Sequence, residues 1–332
     1  MPKIAVIQTA YPGDVILSTP LFEAVKATFP GCGTVAVVRP ESVCLLENNP
    51  FVDEIEAFDK YGADRGLSGI ARLAGRLKGC GRAYIIQRHL RSAIIAYFAR
   101  IPVRVGFACS SARMLYTHKI VYRENLHEVE RCLSLLGAEA KRYRPRLYLG
   151  EDSISRADEL IKSAGIYDDF AVIAPGSIWP TKRYPYFTGV IHLLKEKLNL
   201  PVVLIGGAKD ARAAEEIGAG SIHKVHNLAG ATSLAESAAI MSKAKIVITN
   251  DSAPAHIAAA VGAPVVAIFG STVPRFGFAP YSGNSAVVEI GDLYCRPCGR
   301  HGAKKCPEKH FRCMLDLQPA KVIEAVLSLL AE

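Results

Sequence analysis

The stretch from Lys245 to Phe278, KIVITNDSAPAHIAAAVGAPVVAIFGSTVPRFGF, constrains the fold more than any other part of the chain. A β-branched run at 246–249 predicts a buried strand that stops at Asn250, Asp251 and Ser252. A small-residue helix with His256 in its first turns follows, then a second buried strand at 264–269, ending at Gly270, Ser271 and Thr272. Strand, helix and strand in this order predict a parallel α/β layer with polar groups at the carboxyl ends of two strands, where open α/β sheets bind ligands. Asp251 or Ser252 is placed to cap the helix, whose N-terminus offers free N–H groups and positive potential to an anion.

The rest of the chain repeats this alternation. Strand-like runs at 3–9, 34–39, 54–58, 83–87 and 103–107 alternate with helical periodicity at 15–29, 69–77, 92–98 and 128–136. Residues 143–152, YRPRLYLGED, read as an extended connector before a new helix. Beyond it, strands at 170–174, at 202–205 and near Val225 alternate with helices at 185–198, 208–219 and 234–242, and an amphipathic helix closes the chain at 319–330. Alternation of this kind predicts parallel sheets with both faces covered by helices. The pause near residue 150 predicts two Rossmann-like domains, 1–150 and 151–332, whose sheets face each other across a cleft.

A chain of 332 residues is long enough for two cores, and no apolar run reaches the length needed to span a bilayer. The start, MPKIAVIQTAYPGD, lacks the layout of a signal peptide, which predicts a cytoplasmic protein whose nine cysteines are mostly reduced. The net charge of +9 is uneven: residues 1–150 hold 21 Lys and Arg against 13 Asp and Glu, the remainder 19 against 18. Arg88, Arg91 and Arg104 belong to the basic stretch of the first half, which predicts an acidic partner for that half.

Four constellations carry chemistry. In TAYPGDVILSTP, residues 9–20, a strand ends, Pro12 and Gly13 turn, and Asp14 opens a helix at the carboxyl end of the first strand, a place for a general base acting on a hydroxyl. The G-x-G-x-x-G fingerprint is absent there, which argues against an ordinary NAD site. In IAPGSIWPTKRYP, residues 173–185, Gly176, Ser177, Thr181 and Lys182 suit a diphosphate without having the Walker spacing. The third is the opening segment, with Asp251, Ser252 and His256, joined by the strand-ending pair Gly206 and Gly207. The fourth is Cys295, Cys298, Cys306 and Cys313, with His301 and His310 between them. Four thiols at this spacing admit a structural zinc, free or redox-labile thiols, or two disulfides, and none of these implies a catalytic role.

Taken in order, these motifs resemble the ADP-heptose–lipopolysaccharide heptosyltransferases of glycosyltransferase family 9, in particular the heptosyltransferase II branch. The resemblance runs nearly end to end, through TAYPGDVILSTPLFEAVKATFP, LRSAIIAYFARIPVRVGF, HEVERCLSLLGA, PGSIWPTKRYP and NDSAPAHIAAAVGAPVVAIFGST to the cysteine tail. It departs at Tyr184, where the family usually carries tryptophan. The resemblance implies a GT-B architecture with acceptor bound by the first domain and nucleotide sugar by the second. It implies inverting transfer of L-glycero-D-manno-heptose from ADP-heptose to the inner core of lipopolysaccharide, with no catalytic cofactor. Carried across, Asp14 matches the general base and Lys182 the lysine that steadies the donor diphosphate. Asp251 and His256, with Ser252, match the groups that contact the heptose and neighbouring donor atoms.

An acceptor made of phosphorylated lipid A and acidic sugars accounts for the basic first half, with Arg88, Arg91 and Arg104 as its ligands and a peripheral place on the cytoplasmic leaflet of the inner membrane. A family 9 transferase with another nucleotide sugar or core acceptor is the alternative. A nucleic-acid-binding protein with a zinc module is a remote one, because the basic excess and the cysteines lie in different halves and no aromatic-rich RNA-binding motif accompanies either. Nucleic acid is therefore not an expected partner.

Overall fold

The computed structural model describes residues 3–139 and 142–331. The chain divides into two compact units, Met1–Tyr148 and Leu149–Glu332, the break falling in the connector.

Unit 1 runs β1 (Lys3–Ile7), α1 (Pro12–Thr28), β2 (Gly33–Val38), β3 (Glu54–Ala57), α2 (Leu67–Arg76), β4 (Cys80–Ile85), α3 (Leu90–Phe98), β5 (Val103–Phe107), β6 (His118–Ile120) and α4 (Glu128–Ser134). Its six strands form one sheet in the order β3-β2-β1-β4-β5-β6, and every pairing is parallel. The pleat sends alternate residues of β1 to opposite faces. Ala5 and Ile7 join a core shared with α2 and α3, including Leu73, Ala93 and Ile95. Ile4 and Val6 join the other, shared with Val15, Phe22 and Val25 of α1 and with Cys132 of α4. Two buried faces leave no room for polar alternation, which is why β1 and β2 read as continuous apolar runs.

Helix α1 carries Pro20 in its interior without breaking. Proline removes the N–H that would bond Ile16, and the Thr19 hydroxyl instead donates to the Ile16 carbonyl at 2.8 Å. The N-cap of α1 is Tyr11, with Pro12 opening the first turn, so Asp14 stands inside that turn rather than at the cap.

Unit 2 opens with α5 (Glu151–Ser163) and continues β7 (Ala171–Ala174), α6 (Phe187–Leu198), β8 (Val202–Leu204), α7 (Ala211–Ala219), β9 (Val225–Asn227), α8 (Leu234–Ser242), β10 (Ile246–Asn250), α9 (Ala253–Ala260), β11 (Val265–Phe269), β12 (Ser285–Glu289), α10 (Arg312–Leu315) and α11 (Pro319–Ala331). Its sheet, β12-β11-β10-β7-β8-β9, is again six-stranded and parallel throughout. Counted within each unit, both sheets have the strand order 3-2-1-4-5-6 of the dinucleotide-binding fold. On one face, Ile173, Ile248 and Ile268 pack with Phe187, Val190 and Leu194 of α6 and Val322 and Val326 of α11.

The edge strands β6 and β12 are not anticipated by the sequence. Both are short or half-exposed and lack the buried β-branched run that marks the interior strands. The expected helix at 208–219 is split, a 3-10 turn Ala208–Asp210 preceding α7.

Candidate active site

In a sheet of order 3-2-1-4-5-6 the chain leaves the first strand toward one edge and returns beyond it for the fourth, opening a crevice at their carboxyl ends. Unit 1 puts Thr9, Asp14 and Gln87 at that point. The Thr9 hydroxyl donates to Gln87 Oε1 at 2.5 Å, and Ser92 donates to the same oxygen at 3.3 Å. Lys60, which the sequence reading passed over, donates from Nζ to the Thr9 carbonyl at 2.6 Å. Burial, then the guanidinium groups of Arg39 and Arg91, hold the Lys60 ammonium below the ordinary lysine range, while Glu41 and Asp14 act in the opposite sense. Asp14 thus has a partly desolvated cation in its electrostatic neighbourhood. Arg39 lies over the rings of Tyr11 and Tyr61, 5.6 and 5.2 Å from their centroids, so this edge of the sheet is cationic and aromatic.

The three arginines expected to bind an acidic partner have different fates. Arg88 follows β4 on the Asp14 edge, its guanidinium 4.4 Å from the centroid of Tyr122. Tyr122 is itself fixed: its hydroxyl donates to Glu128 at 3.2 Å and accepts from buried Arg131 at 3.1 Å, and burial raises its pKa to about 12, which keeps it a donor. Arg91 donates to the Lys60 carbonyl at 3.2 Å and supports the Lys60 loop. Arg104 is not brought to this edge. It lies mid-strand, in register with Ala83, and its guanidinium donates to the carbonyls of Leu115 and Ile101 and stacks on Tyr97. Its place is in the scaffold, a correction to the expected role.

Unit 2 builds the second half-site where β7 and β10 part. Asn250, fully buried, accepts from the Tyr184 backbone N–H at 3.0 Å and donates to the Pro175 carbonyl at 2.7 Å, pinning both ends of the loop that carries Ser177, Thr181 and Lys182. Tyr184 accordingly belongs to the core, with its hydroxyl on the Leu317 carbonyl. Asp251 then meets Lys182: Nζ stands 2.6 Å from Oδ2, and the two side chains are only 13% and 7% exposed. The Thr272 hydroxyl donates to the same carboxylate oxygen at 2.5 Å.

Ser252 occupies the N-cap position of α9, but its side chain does not cap. It donates to the Gly176 carbonyl at 3.2 Å; Pro254 has no N–H to offer, and the Ala255 N–H donates to the Ser252 carbonyl at 3.0 Å. His256 is buried in the first turns of the same helix. Ser177 is buried beside the loop, and its carbonyl accepts from Arg183 at 2.9 Å. Gly176 and Gly206 both lie against Asp210. A Cβ on Gly176 would come within 2.4 Å of the Asp210 carboxyl carbon, so only glycine admits this approach.

The cysteine-rich loop at 295–313 is tied into the same site. The Thr181 hydroxyl donates to the Ala303 carbonyl at 3.0 Å and accepts from the Ala303 N–H at 2.8 Å, and it lies 3.0 Å from Ser271 Oγ. The Cys298 N–H donates to the Ser271 carbonyl at 3.0 Å. Arg296, paired with Glu289 at 2.6 Å, donates to the Thr272 carbonyl at 2.7 Å. A line of contacts therefore runs from Arg296 through Thr272 and Asp251 to Lys182. Thr272→Val keeps the shape and leaves the carboxylate one donor short. It is expected to lower the unfolding free energy by about 1–3 kcal/mol, read by urea denaturation.

Among the described residues no group of three or more His, Cys, Asp or Glu side chains is placed to hold an ion. Cys295 Sγ lies 3.8 Å from His310 Nε2, and Cys298 Sγ faces the Cys295 carbonyl. Burial, with neighbouring cysteines adding to it, raises the Cys298 thiol and takes that of Cys313 to about 11. A zinc ligand must be a thiolate, so zinc binding there would be accompanied by proton release. Cys313 is expected to resist iodoacetamide in the native protein at neutral pH and to become reactive only as pH climbs toward 11, followed by mass spectrometry.

Two parallel units with the same strand order, one offering a carboxylate and the other an anion cradle at equivalent switch points, define a GT-B glycosyltransferase fold. The sequence profile of glycosyltransferase family 9 (heptosyltransferase) matches residues 70–310, and the chain belongs to this family. Lipopolysaccharide heptosyltransferase 2 of Salmonella typhimurium is 29% identical over 357 aligned residues, 99% of each chain. Among solved structures, a family 9 glycosyl transferase from Veillonella parvula superposes with a TM-score of 0.90 at 25% identity, over 99% of this chain and 97% of that one. The ADP-heptose lps heptosyltransferase II of Escherichia coli does so with a TM-score of 0.79 at 26% identity, over 99% and 98%.

Proposed function

We propose that this protein transfers heptose from ADP-heptose to the inner core of lipopolysaccharide, with inversion at the anomeric carbon and without a metal ion in the chemical step. The observation that carries the reading is the Lys182–Asp251–Thr272 cluster beside the positive N-terminal end of α9, where the Lys182 ammonium can turn to a leaving diphosphate at the switch point of unit 2. The names of the relatives supply the substrates, ADP-heptose and lipopolysaccharide.

In the reaction Asp14 accepts the proton of an acceptor hydroxyl as its oxygen attacks the anomeric carbon. The bond from that carbon to the diphosphate oxygen breaks on the opposite face, and ADP leaves. Its charge is met by the Lys182 ammonium and by the positive N-terminal end of α9. Lys182 enters this step from its pair with Asp251, so its ammonium exchanges a carboxylate partner for the diphosphate rather than coming in from water. Asp251, relieved of the ammonium, is free to accept from sugar hydroxyls, with His256 one helical turn beyond it. Arg88, stacked on Tyr122, and Lys60 take acidic groups of the acceptor, which its lipid anchor keeps at the cytoplasmic leaflet of the inner membrane.

The test is transfer by the purified protein from ADP-heptose to lipopolysaccharide truncated before its second heptose, with and without EDTA. A mass gain of one heptose that EDTA leaves intact supports the reading. Transfer only from another nucleotide sugar, or strict dependence on an added divalent ion, overturns it.

A further inference from the structure

Apart from Arg91 and Ser92 near its start, helix α3 is apolar on its outer as well as its inner side, which is unusual for a helix on a protein surface. Its inner side, Ala93, Ile95 and Ala96, is buried in the core under the sheet. Its outer side carries Leu90, Ile94, Tyr97 and Phe98, spaced so that they share one face. Leu90, Tyr97 and Phe98 are 51%, 50% and 56% exposed, and Met114, on the 3-10 turn Arg113–Leu115 packed beside α3, is 82% exposed. Water gains nothing from such a face, and a monomer in water does better with charged residues there.

The segment that carries this face has charges of one sign. From Arg65 to Arg123 the chain carries twelve Lys and Arg and not one Asp or Glu. This acid-free stretch spans α2, β4, α3, β5, the 3-10 turn and β6. Arg100, just past the end of α3, and Arg113, next to Met114, are exposed at the margin of the apolar face. Among the described residues no helix is long and apolar enough to cross a membrane, so the stripe is not part of a span.

We propose that the outer face of α3, with Met114, seats in the surface of an anionic lipid bilayer. Leucine, methionine and phenylalanine side chains enter the boundary between headgroups and acyl chains, tyrosine sits at headgroup level, and arginines on the rim take lipid phosphates. The absence of carboxylates removes the repulsion that a negatively charged surface would otherwise meet. A second copy of this chain fits worse: a two-fold contact would press the exposed Arg100 and Arg113 of both copies together. Nucleic acid would use the cations but has no need of an aliphatic stripe. The inference deepens the reading of a lipid-anchored acceptor and rests on it for its purpose, yet its test needs neither donor nor acceptor.

The full-length protein is sedimented with vesicles of phosphatidylethanolamine and phosphatidylglycerol, and with vesicles of phosphatidylcholine, over a range of salt. Wild type is expected to bind the anionic vesicles, more weakly as salt rises. Phe98→Ser combined with Met114→Ser, and separately Arg100→Glu combined with Arg113→Glu, should each weaken this binding by about tenfold or more. All four side chains are exposed and outside the catalytic groups, so transfer to a water-soluble, delipidated acceptor should stay at the wild-type rate. Absence of binding by wild type, or equal binding by the variants, overturns the proposal. So does a wild-type dimer that Phe98→Ser with Met114→Ser dissociates, or RNA binding that the arginine variants lose, where lipid binding is absent. Heptose transfer without vesicle binding defeats this inference alone; vesicle binding without transfer defeats only the reading of function.

Discussion

Asp14→Asn is expected to reduce turnover by about 10²–10⁴, the usual worth of a positioned general base. Asparagine has the shape of aspartate and keeps the first-turn position in α1, so the scaffold is preserved. The loss of a negative charge near the helix N-terminus costs no more than about 0.3–1 kcal/mol of stability. Affinity for ADP should be unchanged, because the groups assigned to the diphosphate belong to unit 2. Single-turnover rates with saturating ADP-heptose, and calorimetric titration with ADP, separate the two effects. Turnover near wild type removes Asp14 from the role of base; a loss of ADP affinity equal to the loss of rate assigns it to binding instead.

Lys182→Ala should damage both stability and donor use. The Lys182 and Asp251 side chains are nearly out of water and 2.6 Å apart, so removing the ammonium strands a buried carboxylate on the Thr272 hydroxyl. Breaking a buried pair in this way costs about 3–5 kcal/mol, whereas removing both charges together is often close to neutral. Lys182→Met combined with Asp251→Leu is therefore expected to recover much of the stability that Lys182→Ala loses, while kcat/KM for ADP-heptose stays low. Urea denaturation and donor kinetics on wild type, both single variants and the pair close the cycle. Unchanged donor kinetics in Lys182→Ala would make 181–183 an ordinary basic turn.

Asp14 was legible in the sequence because its position needs only local reasoning. An apolar run, a Pro-Gly turn and a helix in succession place a residue at the carboxyl end of a strand, wherever the other strands lie. The same logic found the loops at 173–185 and 250–252 and the helix between β10 and β11. It did not find what those loops do to each other. The sequence assigns Lys182 to the donor diphosphate and Asp251 to the sugar without relating them, yet they are one ion pair. Lys60, remote from Thr9 in sequence, also escaped notice because a lone lysine after a short strand has no local signature. Arg104 shows the opposite error: composition put it in a basic stretch, and the pleat turned its guanidinium toward Leu115 and Tyr97.

What the sequence determined alone was the interior strands and most of the helices between them, the parallel arrangement, the break near 150 and the chemical kinds of residue at strand ends. Periodicity and turn chemistry act over a few residues, and a linear reading captures them. Tertiary structure decided which strand ends became neighbours. Asp251 meets Lys182 because β10 lies beside β7 in the 3-2-1-4-5-6 order, and the cysteine loop reaches Thr181 because Ser271 and Thr272 end the adjoining strand. Strand order arises from the packing of two covered faces over the whole unit, a long-range property that no short window of sequence contains.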